Sequence, residues 1–149
     1  MLFRSWRALV ASSGGAMERE VTRAGAKIVT LPLASKNPFV MRANIDRLAA
    51  LIEAENVDLV HARSRAPAWS ALYAARRTGR PFIPTFHGSY NFPNRPEHQH
   101  HSVMAPVHRV TANSNFIASP LRQHHASHHR RIRLVPAGIL SLPLDTARP

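Results

Sequence analysis

The chain has 149 residues, 44% of them hydrophobic and none of them cysteine, and its formal net charge is +12. That length suits one domain with its own core. The apolar fraction excludes a disordered chain, and the lack of cysteine excludes a disulfide framework or a Cys-based zinc site. No apolar run is long enough to span a bilayer. The first seven residues carry charge but no apolar stretch of signal-peptide length, so a cytoplasmic protein is expected. Eighteen of the twenty basic residues are arginine. Such a field attracts nucleic acid, anionic lipid or phosphorylated substrates. A coding sequence biased towards Arg, Ala and Pro accounts for it equally well, because the charges are scattered rather than gathered into a stripe, apart from Arg130, Arg131 and Arg133.

In chain order, residues 7–11 read as a first strand that runs into Ser12, Ser13, Gly14 and Gly15. A helix follows over about 16–24, with Glu18 and Glu20 near its positive end and Gly25 closing it. Residues 27–31 form a second strand, stopped by Pro32. The clearest helix covers about 39–55. Met41, Ile45, Leu48 and Ile52 make its apolar stripe, and Asn56 follows as a residue that tolerates a left-handed turn. A strand comes next at 57–62, then a helix over 67–77 that begins with Pro67, carries Arg76 and Arg77 in its last turn and closes at Gly79. Trp69, Leu72 and Tyr73 on this helix read as packing residues.

Residues 82–86 form a fourth strand, and the Gly-, Asn- and Pro-rich stretch 88–96 a loop, with a polar helix starting near Glu97. A fifth strand at 108–112 leads to Ser114, an N-cap for a helix to about His125, and the last strand is 132–135. Strands alternating with helices predict an α/β fold: a Rossmann-like open parallel sheet with helices on both faces. Residues 1–140 make up the domain, and 141–149 are expected to be a loose tail.

In open α/β sheets ligands bind beyond the carboxyl ends of the strands. His61, Arg63, Ser64 and Arg65 occupy one such end, and His87 and Gly88 another. An arginine fork suits a phosphate or carboxylate, although arginines in a surface loop have the same appearance. Lys36 and Asn37 belong either to an acceptor loop or to the cap of the following helix. Gly14 and Gly15 fit a tight turn better than a phosphate cradle, because the segment is neither GxGxxG nor a P-loop. The pairs His124/His128 and His125/His129 have metal-sharing spacing, and His98, His100 and His101 form a second cluster. No glutamate lies between the paired histidines as in HExxH, so no metal site is assigned.

Taken in order, Val10-Ala11-Ser12-Ser13-Gly14-Gly15, Ala24-Gly25-Ala26, Asp58-Leu59-Val60-His61-Ala62-Arg63-Ser64-Arg65, Thr85-Phe86-His87-Gly88, Ala112-Asn113-Ser114-Asn115-Phe116-Ile117 and Ile132-Arg133-Leu134-Val135-Pro136-Ala137-Gly138-Ile139 resemble the N-terminal domain of a family 4 (group 1) glycosyltransferase of GT-B fold. No one of these motifs is diagnostic; six weak motifs in this order are fairly specific. The resemblance implies two Rossmann-like domains facing a cleft, the first binding the acceptor and the second most of the nucleotide-sugar donor. It implies that His87 reaches the donor sugar, with Gly88 allowing close approach and Ser89 beside it among the substrate-binding residues. The nucleotide-sugar is a substrate, and no further cofactor is implied.

The implied partners are a donor-binding domain or chain, an anionic glycan or lipid-linked acceptor, and a membrane surface touched peripherally. Nucleic acid is not among them. The chain departs from the family pattern in that it stops soon after Gly138, where intact members continue into the donor domain, and in three further places. It starts at what corresponds to the second strand, Leu140 stands where relatives commonly have Asp, and the stretch from His124 to Arg131 replaces a short polar loop. A fragment, inactive by itself, is therefore expected. The competing reading is a basic, non-catalytic module for nucleic acid or anionic surfaces. It would need one continuous basic face with aromatic platforms, whereas aromatics are 7% of the chain.

Overall fold

A computed structural model describes residues 6–63, 65–87, 109–124 and 132–136. The elements are β1 (Leu9–Ser12), α1 (Glu18–Arg23), β2 (Lys27–Thr30), α2 (Pro38–Ala54), β3 (Val60–Ala62), α3 (Arg65–Arg77), β4 (Phe82–Phe86), β5 (Val110–Ala112), α4 (Asn115–His124) and β6 (Ile132–Leu134). All strand pairings are parallel. The strand and helix sequence expected for these segments is therefore the one that forms. The boundaries differ in several places: β1 starts two residues later, β3 starts at Val60 rather than residue 57, β5 at Val110 rather than residue 108, α1 is shorter at both ends, and α3 starts at Arg65. Pro67 lies within the first turn of α3, where a missing N–H is harmless. The helix expected near Glu97 and the tail 141–149 lie outside the described residues.

The strands form two sheets: β1 with β2, and β3-β4-β5-β6 in that order. Chain order runs outward in opposite directions from the break between β1 and β3. Right-handed crossovers then place α1 on one face and α2 and α3 on the other. One core cluster joins α2 (Ile45, Leu48, Ile52), α3 (Ala68, Leu72, Ala74), the strand residues Ala62, Phe86, Val110 and Ala112, and α4 (Ile117, Leu121). Alternation along the strands explains which side they bury. Ala62, Pro84, Phe86, Val110 and Ala112 face this core, and His61, Thr85 and Thr111 point to the opposite face.

Side chains at the ends of α2 set its position. Asn37 is its N-cap, accepting from the Phe39 N–H at 2.9 Å, and Pro38 opens the helix. A cap of this kind contributes about 1 kcal/mol. At the other end Glu55 holds Lys27 at 2.5 Å and pairs with Arg7, whose guanidinium also donates to the Glu55 carbonyl. The Lys27 hydrogen bond, more than either cation's field, keeps the Glu55 carboxyl below its usual range. Two cations at a helix C-terminus also suit the helix dipole. Through Glu55, α2 ties the amino ends of β1 and β2 to the segment that enters β3.

Asn44, on the apolar side of α2, is 1% exposed. Its amide donates to the Pro32 carbonyl at 3.0 Å, and its oxygen accepts from Arg47 at 3.0 Å. This polar residue sits beside the apolar stripe because the bend after β2 leaves a carbonyl that needs a donor. Ser70 does the same for the Met41 carbonyl, at 2.9 Å, where α3 crosses α2.

Candidate functional site

The carboxyl ends of β4 and β5 lie side by side, since Phe86 is in register with Ala112, and β3 beside them ends two residues lower, with Ala62 opposite Pro84. Each strand places one polar residue immediately beyond its end: Arg63, His87 and Asn113. The Arg63 Nε donates to His87 Nε2 at 3.3 Å. An imidazole nitrogen that accepts is unprotonated, so His87 is neutral and carries its proton on Nδ1. Burial, then the Arg63 charge, pushes the His87 pKa below 6.5. At neutral pH this site therefore presents a neutral imidazole beside a guanidinium, and among the described residues the imidazole N–H and the remaining guanidinium donors have no partner. Such a pair can donate to hydroxyls and to an anion together.

Below it, a polar row crosses the sheet. His61 Nε2 lies 2.6 Å from Thr85 Oγ1, Thr85 bonds Thr111 Oγ1, and the Thr111 hydroxyl donates to the Pro84 carbonyl at 3.3 Å. A carbonyl only accepts, so the donors run in one direction, from His61 Nε2–H through both threonines. His61 thus carries a proton on Nε2. Burial is the main cause of its lowered pKa, followed by the charges of Arg63 and His87. Asn113 Oδ1 is buried and has no partner among the described residues.

Both histidines start from an ordinary pKa of 6.5 and lie lower in the fold. Groups with depressed folded values stabilise the fold above the unfolded pKa and lose that contribution as pH falls through the folded one. Unfolding free energy is therefore expected to hold steady from pH 8 to about 7 and to decline as pH falls below about 6.5. Urea denaturation across this range checks it. The decline should be shallower in His61→Gln, and an unchanged profile in that variant would remove His61 as its source.

Of the residues singled out from the sequence, His61, Arg63 and His87 come together. Lys36 is exposed, and Asn37 is engaged as the α2 cap, on the loop after β2. Gly88, Ser89, Ser64 and the Arg65 side chain lie outside the described residues, as do the histidines at 98–101 and 125–129. Gly14 and Gly15 have φ of 90° and 147°, as the tight turn requires. Trp69 packs against the core and Leu72 is buried in it, but Tyr73 is 40% exposed, its ring tilted against that of Trp69 with centroids 4.7 Å apart. Sequence reasoning missed Thr111 and Asn113. The available signal was threonine at matching places near the ends of β4 and β5. Among the described residues no cluster of three metal-ligating side chains occurs, and no helix is long and apolar enough to cross a membrane.

Residues 6–139 match the model of the family described as Glycosyltransferase Family 4. The fold is similar to the crystal structure of a glycosyltransferase from Rickettsia africae, with a TM-score of 0.77 and 35% identity over 89% of this chain and 35% of that one. It is also similar to an Anabaena protein solved with UDP, with a TM-score of 0.64 and 16% identity over 89% of this chain and 36% of that one. The same Anabaena protein was also solved with UDP-glucose. At that identity the likeness is one of fold alone. The chain thus spans little more than a third of the length of these structures. Among curated protein sequences none matches it.

Proposed function

The chain belongs to glycosyltransferase family 4, and on that premise we propose that it is the acceptor-side half of a GT-B enzyme that moves a sugar from a nucleotide-sugar to a lipid-linked or polysaccharide acceptor. The observation that carries this reading is the Arg63–His87 pair, at adjacent strand ends where an open α/β sheet binds ligands. His87 offers its Nδ1–H to the donor sugar, at a hydroxyl or where charge develops during transfer. Arg63 holds the ring neutral and aligned through Nε2, and its remaining N–H groups face an anionic group of acceptor or donor. Catalysis here is positioning and electrostatics.

The net charge of +12 suits an anionic acceptor and peripheral contact with the cytoplasmic face of a membrane, as cell-envelope glycan synthesis requires. Three of the described cations are committed to carboxylates: Arg7 and Lys27 to Glu55, and Arg77 to Asp46. This spending of charge on internal pairs weighs against a nucleic-acid module.

The purified 149-residue chain, supplied with radiolabelled UDP-glucose and membrane lipid extract, is expected to transfer no sugar, because the residues that hold most of the donor belong to the other half. Supplying a donor-side domain should restore transfer, and turnover by the chain alone would sink this division of labour.

A further inference from the structure

The helix pair α2 and α3 carries a surface that the strand-end site does not use. The Met41 carbonyl accepts from Ser70 Oγ at 2.9 Å, and Asp46 pairs with Arg77. Passing from the first contact to the second advances along both helices, so they run side by side in the same direction. Phe39, Arg42 and Asp46 recur at i, i+3 and i+7, on a stripe of α2 turned away from its buried residues. Trp69, Tyr73 and Arg76 recur at i, i+4 and i+7 on α3, with Arg77 beside them. The Asp46–Arg77 pair joins the two stripes into one outer surface. Its apolar part is aromatic: Phe39 is 83% exposed, close to the half-exposed Trp69–Tyr73 pair. Its polar part is cationic. Arg42 and Arg76 are exposed and have no carboxylate partner among the described residues, while Arg77 neutralises Asp46. The next carboxylate on the α2 stripe is Glu53, two turns further from the amino end.

We propose that this face docks on an anionic lipid bilayer, with Phe39 and the Trp69–Tyr73 pair entering the headgroup layer and Arg42 and Arg76 meeting lipid phosphates. A lone exposed apolar side chain carries no such meaning. Three aromatics on adjacent helix stripes, flanked by unpaired arginines, have the composition of a membrane–water boundary. Phenyl enters the apolar side, indole and phenol keep a polar edge in water, and guanidinium binds phosphate oxygens. A second copy of the chain fits poorly. A two-fold contact through this face would gather the uncompensated arginines of both copies. Orientation follows from the fold. β3 ends at Ala62 and α3 begins at Arg65, so the amino ends of both helices lie at the end of the sheet that carries Arg63 and His87. Docking by those amino halves tilts Glu53 away and brings the strand-end site to the lipid surface, where a lipid-linked acceptor presents its sugar. In that last step the inference rests on the proposed function.

The full 149-residue chain is sedimented with vesicles of phosphatidylcholine containing about one third phosphatidylglycerol. It is expected to bind them, and binding should fall about tenfold or more in Arg42→Gln/Arg76→Gln and in Phe39→Ser/Tyr73→Ser. Arg19→Gln/Arg23→Gln removes the same charge from exposed positions on α1, across the sheet, and should change binding by less than about threefold. In Trp6→Phe, Trp69 is the remaining tryptophan, and lipids brominated on their acyl chains should quench its emission. That reading leaves the face intact, so it decides the matter even if a face variant fails to fold. Three results would overturn the proposal: no binding to the vesicles, equal losses in the α1 and the α2–α3 variants, which mark attraction by net charge alone, or an unquenched Trp69. Transfer to a water-soluble acceptor after a donor-side domain is supplied tests the transferase reading separately, so either can fail without the other.

Discussion

Leu72→Ala is expected to lower the unfolding free energy by about 2–5 kcal/mol. Leu72 is 3% exposed on α3 and belongs to the cluster that joins α2, α3 and the strands. Removing its side chain leaves a cavity that the facing helix backbones cannot close. Domains of this size have roughly 5–15 kcal/mol in total. The urea midpoint should fall steeply, whereas Arg76→Ala, at an exposed position on the same helix, should move it by less than about 0.5 kcal/mol. Equal effects of the two substitutions would mean that α3 is not packed as described.

In the enzyme that contains this domain with its donor-side half, His87→Ala is expected to reduce kcat by about 10²–10⁴-fold, with KM for the donor changing far less. The ring makes its interaction with the reacting sugar, so its loss should fall on the transition state. Thr85→Val removes the hydroxyl that His61 addresses but leaves the Arg63–His87 contact. It should cost under tenfold if His61 serves only the sheet. A His87→Ala variant with unchanged kcat would remove His87 from the chemistry, leaving Arg63 as the residue of interest at that strand end.

Much of this fold could be read locally. The spacing of Met41, Ile45, Leu48 and Ile52 announces α2 because a helix repeats within a few residues, and Gly25 and Gly79 mark helix ends for the same reason. The positive φ of Asn56, 50°, is equally local. The strand ends that carry His61, Arg63 and His87 were legible because an apolar run followed by polar residues marks where a buried strand emerges. The ordered motifs were also enough to indicate the family.

Other features depend on partners far apart in the chain. Asn44 is on the buried side of α2 only because the Pro32 carbonyl arrives there, and Glu55 matters because Arg7 and Lys27 meet it. Nothing within ten residues of Thr111 indicates that it closes a row begun at His61.

By itself the sequence determined the element order, the parallel α/β class, the family and the strand ends where chemistry belongs, because these follow from short-range periodicity and sterics. Only the tertiary structure decided which strands are neighbours. The break between β1 and β3, the proton on His61 Nε2, the neutral ring of His87 and the Arg63–His87 contact all depend on strand order and register. Those are set by the packing of α2 and α3 on the sheet, where the free energy resides in contacts between residues distant in sequence.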